Sequence, residues 1–134
     1  MKRFFPFLGI LILNACTLNE TLLKYGGAEH VWRLVELDGN PVKFPNEIQF
    51  GPPNNVMGKG PCSTFSAKQG APYPWFELEG INALTSETCT WTAQEDRLFS
   101  ALQDMQIVEI SGPNMVLSND AGREMVFVGI TDGG

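Results

Sequence analysis

The sequence predicts an α+β domain in which an antiparallel β-sheet is curled around, or covered by, one α-helix. Three observations carry this. Short stretches of alternating apolar and polar residues recur along the chain, each ended by Gly, Pro, Asn or Asp. Only one stretch, beginning at Thr92, has a helical period. The order is strands, a helix, then strands, without a repeating βα unit. Fourteen Gly and nine Pro in 134 residues also favour short strands over long helices.

The N-terminus reads as an address rather than as part of this domain. Met1-Lys2-Arg3 is a short positive region, and residues 4–13 are an apolar run broken only by Pro6 and Gly9. A helix spanning a bilayer needs about twenty apolar residues, so this run has the length of a signal-peptide core. Leu13-Asn14-Ala15-Cys16 follows and resembles the lipobox of bacterial lipoproteins. That resemblance implies removal of residues 1–15 and acylation of Cys16. One acyl chain holds a protein weakly to a membrane, at about 0.8 kcal/mol per buried CH₂, and two or three hold it stably. Thr17 follows the cysteine, where an aspartate would signal inner-membrane retention in enterobacterial lipoproteins. The expected location is therefore the outer membrane of a bacterial envelope, facing the periplasm. Residues 16–29 read as the lipidated N-terminus and a tether with Gly26-Gly27 as its loose end. Residues 30–130 read as the domain and 131–134 as a tail.

Within the domain, 31–37 alternates, with Val31, Arg33 and Val35 on one face and Trp32, Leu34 and Glu36 on the other. Asp38-Gly39-Asn40-Pro41 is a turn signal. Residues 48–50 and 56–58 are short strands separated by Gly51-Pro52-Pro53-Asn54-Asn55. In 62–67, Cys62, Thr64 and Ser66 oppose Ser63, Phe65 and Ala67. A loop at 70–74 leads to 75–81, with Phe76 and Leu78 inward and Glu77 and Glu79 outward. Thr92-Ala93-Gln94-Glu95 fits a capping box, Thr92 accepting from the Glu95 N–H and Glu95 reaching back. Leu98, Leu102 and Met105 then form one apolar stripe, with Phe99 beside it. Apolar runs at 107–110, 115–117 and 125–130, joined by Gly-Pro-Asn and Asn-Asp turns, suggest a meander.

An ordered set of residues makes a family resemblance specific. Trp32-x-Leu34 with Asp38-Gly39 is followed by the 58–67 stretch and by Thr85-x-x-x-Cys89. Glu95 then stands ahead of Phe99 and Leu102, with Gly112-x-x-Met115-x-Leu117 and Gly122 beyond. The set resembles the META domain (HslJ-like) family over 31–128. Where that family usually has Gly-Cys-Asn, this chain has Pro61-Cys62-Ser63. Before the second cysteine it has Glu87-Thr88 instead of Met-Ala. The resemblance implies a curved, half-barrel-like antiparallel β-roll packed by one helix, in a family associated with heat-shock and envelope contexts.

The residues that could carry chemistry are few. Cys62 and Cys89 could be a metal pair, a reactive thiol with its partner, or a disulfide. Zinc needs three or four ligands, and His30 is the only histidine. There is no CxxC. A secretory signal places the pair in an oxidising compartment, so a Cys62–Cys89 disulfide is expected. On the chain-entropy view it stabilises by roughly 3.5 kcal/mol. His30 reads as a solvated residue. Glu77 and Glu79 read as a solvated strand face rather than an acid–base pair. Ser63, Ser66 and Ser86 lack a Gly-x-Ser-x-Gly elbow. Tyr73 and Trp75, among prolines, form an aromatic loop that either packs over the sheet edge or offers a contact patch.

A net charge of −6 argues against nucleic acid, which a positive patch would recognise. No metal or cofactor is expected, and no enzymatic activity. The function expected is that of a monomeric envelope lipoprotein whose domain contacts an envelope protein partner or serves a stress-related envelope role. The alternative is a lipid-binding, chaperone-like or pilotin-like module using the apolar concavity of its sheet.

Overall fold

The computed structural model describes residues 21–130. Residues 1–20, which hold the stretches read as signal sequence and lipobox, Cys16 and the start of the expected tether, lie outside the described residues, as do residues 131–134. The elements are β1 (Val31–Leu37), β2 (Asn40–Pro41), β3 (Glu47–Gly51), β4 (Asn55–Lys59), β5 (Ser63–Gln69), β6 (Leu78–Thr85), α1 (Thr92–Asp104), β7 (Ile107–Ser111), β8 (Asn114–Ser118) and β9 (Glu124–Ile130). A 3₁₀ turn at Gly27–Glu29 precedes them. The strands form one antiparallel sheet in the order β6-β5-β4-β3-β1-β9-β8-β7, with β2 folded back on β1. The sheet curves into a half-barrel packed by α1, as the pattern and the resemblance implied.

Local chemistry explains the turns. Asp38 and Gly39 both have positive φ, 51° and 83°. That is the backbone of a type I′ hairpin turn, for which Asp-Gly is a favoured pair. It joins β1 to β2 where the sequence placed a turn.

Two irregularities reset the strand faces. Leu34 pairs with Phe127, but Glu36 pairs with Val126, so Val35 is an extra residue in β1. Beyond this bulge Leu37, not Glu36, takes the inward position, and Glu36 stays exposed. The simple alternation read from the sequence is corrected there. A second register shift lies between Ser66 and Lys68, opposite Gly80. β6 accordingly begins at Leu78 and runs to Thr85 rather than spanning 75–81. Residues 74–76 instead run beside the start of β7. Phe76 N–H donates to Gln106 O and Val108 N–H to Pro74 O, both at 2.8 Å. These bonds, with a bridge between Trp75 and Ile107, link the two ends of the sheet.

The interior is filled. Trp32 and Leu34 of β1, Leu98 and Leu102 of α1, Val108 of β7, Met115 and Leu117 of β8, and Met125 and Phe127 of β9 are buried together. Each such side chain contributes about 1.5–3 kcal/mol by leaving water. Phe99 of α1 sits edge-on to Phe65 of β5 at 5.1 Å. The concave face of the sheet is thus occupied by the domain's own core. A lipid bound there would have to displace it.

Polar groups inside have partners. The Trp32 indole N–H donates to Gly27 O at 2.9 Å. Buried Asn46 accepts from Leu34 N–H at 2.8 Å and donates to Leu34 O at 3.2 Å. It serves β1 just below the single pairing between β1 and β3, Trp32 with Ile48.

Residues 21–29 differ from the loose tether expected for 16–29. Leu22 is buried in the core, and Tyr25 stacks on Tyr73 at 4.1 Å. The segment closes one end of the half-barrel because Leu22 fills space that the curved sheet leaves open. Among the described residues no helix is long and apolar enough to cross a membrane.

Candidate functional site

The two cysteines meet where the sequence placed them together. Cys62, at the entry to β5, is bonded to Cys89, in the approach to α1, with Cα atoms 5.5 Å apart. The bond ties sheet to helix. Cys62 is buried. Its carbonyl accepts from Ser86 N–H at 2.9 Å, and Cys89 Sγ accepts from Trp91 N–H at 3.3 Å.

Beside the bond lies a buried carboxylate, Glu95. Its Oε1 accepts the main-chain N–H of Cys62 at 3.0 Å, and its Oε2 accepts the Ser63 hydroxyl. Ser63 Oγ also lies 2.8 Å from Thr85 Oγ1. Ser63 donates its only hydroxyl proton to Glu95, so Thr85 donates to Ser63. The chain of donors therefore runs Thr85 to Ser63 to Glu95, from the end of β6 through β5 into the first turn of α1.

This corrects the capping box. The residue preceding α1 is Trp91, whose carbonyl accepts Glu95 N–H at 3.0 Å, and no side chain caps the helix. A buried carboxylate is stabilised by donors that charge strengthens. Glu95 finds two such donors in the strand below rather than one on its own helix. Gly60 makes room for it: a Cβ there would lie 2.5 Å from Glu95 Oε1. Because Ser63 and Glu95 are buried and bonded to each other, the pair is built to hold the helix against β5. It does not present a nucleophile to solvent.

The other residues singled out are dispersed. Glu77 is exposed ahead of β6, and Glu79 lies over Gly70. His30 is partly buried against Trp32, ring centroids 5.0 Å apart. Ser66 is exposed on β5, and Ser86 Oγ is 3.3 Å from Thr88 Oγ1. Tyr73 is part-buried, and its hydroxyl accepts Ile110 N–H at 3.2 Å, so it packs over the sheet edge. Trp75, by contrast, is 55% exposed. Among the described residues no three His, Cys, Asp or Glu side chains gather as a metal site.

One surface groove, of about 500 Å³, crosses the outer face of β3 to β6. Its floor is a cross-strand row, Gln49, Met57, Ser66 and Asn82, in register on four neighbouring strands. Leu84 at its edge is 79% exposed and Met57 is 49% exposed.

The sequence matches the META domain over residues 23–132. The chain belongs to the META domain family. Among curated proteins no sequence match was found. Two solved structures share the fold. A DUF4847 family protein from Bacteroides vulgatus superposes with a TM-score of 0.61 at 12% identity, covering 79% of this chain and 96% of its own. A protein from Burkholderia xenovorans superposes with a TM-score of 0.62 at 15% identity, covering 78% and 84%.

The match begins at residue 23, so residues 23–29 of the segment that closes the half-barrel fall within the META domain, and Leu22 lies one residue ahead of it. The role of Glu95 in this META domain was missed from sequence, although a signal existed. Glu95, Leu98 and Leu102 stand at i, i+3 and i+7, which puts the carboxylate on the buried stripe of α1. A charged residue on a buried stripe needs a partner.

Proposed function

We propose that this META domain is a non-enzymatic contact module of a lipid-anchored lipoprotein in a bacterial envelope, on the outer membrane and facing the periplasm. The observation that carries the reading is the Cys62–Cys89 bond. Structural disulfides persist in oxidising compartments such as the periplasm and are rare in the cytosol. The bond agrees with the signal-like N-terminus and the lipobox ending at Cys16.

The buried Ser63–Glu95 pair and the scattered positions of His30, Glu77 and Glu79 support a binding role over catalysis. The contact surface is the groove crossed by Met57 and Leu84, and its partner is an envelope protein. Two measurements test this. Cys16→Ser should release the protein from the membrane fraction without its acyl mass. A photo-crosslinking residue at position 84 should give one discrete adduct in cells, while position 33, exposed on β1, gives none. Membrane retention of the Cys16→Ser protein, or equal adducts at both positions, would defeat the proposal.

A further inference from the structure

We propose that the end of the half-barrel closed by the N-terminal segment is a membrane-docking face, which in the anchored protein lies against a phospholipid surface. This rests on the reading of Cys16 as the acylated residue. It adds a second, non-covalent contact with the membrane, made by the domain itself.

The charge distribution is the first observation. Segments 21–28, 51–55 and 70–76 come together at this end. Leu22, Phe50, Pro53 and Pro72 line one cleft there, of about 250 Å³. Across the same junction Tyr25 stacks on Tyr73. The three segments hold a single charged side chain, Lys24, and none of the fifteen acidic residues of a chain whose net charge is −6. Glu29 and Glu77 flank the face, and the Glu79 carboxylate lies over Gly70 at its border. At the other end Arg123 pairs with Asp38 and Asp104. An anionic lipid surface repels the acidic remainder of the domain and leaves this end as the one it tolerates.

The second observation is which rings the segments that build the face expose. Trp75 is 55% exposed and Tyr25 38%. Both are amphipathic rings, the type that seats at the level of lipid headgroups. The third is position. Thr21, the first described residue, borders the cleft. Cys16 is five residues earlier, so even a fully extended link keeps the acylated cysteine's backbone within about 18 Å of Thr21. A tether that short gives the face a high effective concentration at the lipid surface, so weak docking suffices.

The test uses the mature acylated protein carrying Trp91→Phe, which leaves exposed Trp75 and buried Trp32. It is reconstituted into phosphatidylethanolamine–phosphatidylglycerol vesicles whose acyl chains are brominated near the headgroup. The expected result is loss of Trp75 emission in brominated but not in plain vesicles. Adding Trp75→Phe should abolish that loss. A Pro53→Glu/Ala71→Glu variant should reduce it, while the protein still floats with the vesicles. Acylated, floating protein whose Trp75 is not quenched would overturn the docking face and leave the anchor standing. Protein that carries no acyl mass and does not float would overturn the anchor reading, and the docking face with it.

Discussion

Glu95, in the first turn of α1, accepts the main-chain N–H of Cys62 at 3.0 Å, so the helix is held to β5 by a carboxylate as well as by the Cys62–Cys89 bond. The two ties act on adjacent groups. The carboxylate positions the strand residue that the disulfide staples.

Removing the carboxylate leaves a buried N–H and a buried hydroxyl without their acceptor. Glu95→Ala is expected to destabilise by about 2–4 kcal/mol, since each orphaned buried donor costs about 1–3 kcal/mol. Gly60→Ala should also destabilise, because its Cβ would lie 2.5 Å from Glu95 Oε1. The two losses should be less than additive, since once the carboxylate is gone the methyl at position 60 meets only Leu98 Cδ2, at an ordinary 3.5 Å. Urea unfolding of both single variants and the double variant checks this, and additive losses would refute it.

A second prediction concerns acid. The Arg123 guanidinium, bonded to Asp38 Oδ2 at 2.9 Å, holds the Asp38 carboxyl below its ordinary value, helped by the Glu124 N–H. The folded state therefore takes up this proton at lower pH than the unfolded chain. The contribution is fully present above the unfolded value of about 3.9 and is lost as pH falls through the lower folded value. Asp38→Asn should be less stable than the parent at neutral pH, and the gap should close as pH falls below about 4. Thermal melts across that range would read it, and a gap constant with pH would rule out Asp38 as the titrating group.

Leu22 tests where the domain begins. It is buried against the core although it lies in the segment read from sequence as tether. Leu22→Ala should cost about 2–4 kcal/mol, as a cavity-forming core substitution does, whereas a tether residue would cost nothing measurable. Chemical denaturation separates these two outcomes.

What was legible in the sequence was local. The Asp38-Gly39 turn, the inward Trp32 and Leu34, and the Leu98–Leu102–Met105 stripe follow from residue type and period alone, and all three are found. The bulge at Val35 was not legible, because it is defined by the register of β1 against β9, nearly a whole domain away in sequence. Leu22 was hidden for a similar reason: its burial depends on the open end of a curved sheet. Glu95 was misread because the capping pattern and the buried stripe share one residue. Burial decided between them.

The disulfide can be assessed through its variants. Cys62→Ala and Cys89→Ala should each destabilise by about 2–4 kcal/mol. The double variant should lose about the same as either single, since all three lack the same one bond. Losses that add would mean the cysteines act separately.

Mass spectrometry of the protein purified from cell membranes without reductant reads both the staple of this META domain and its anchor in an envelope. The expected result is a chain that begins at an acylated Cys16 and, after digestion, a linked peptide pair joining Cys62 to Cys89. A chain that still begins at Met1, with free thiols at both positions, would contradict it.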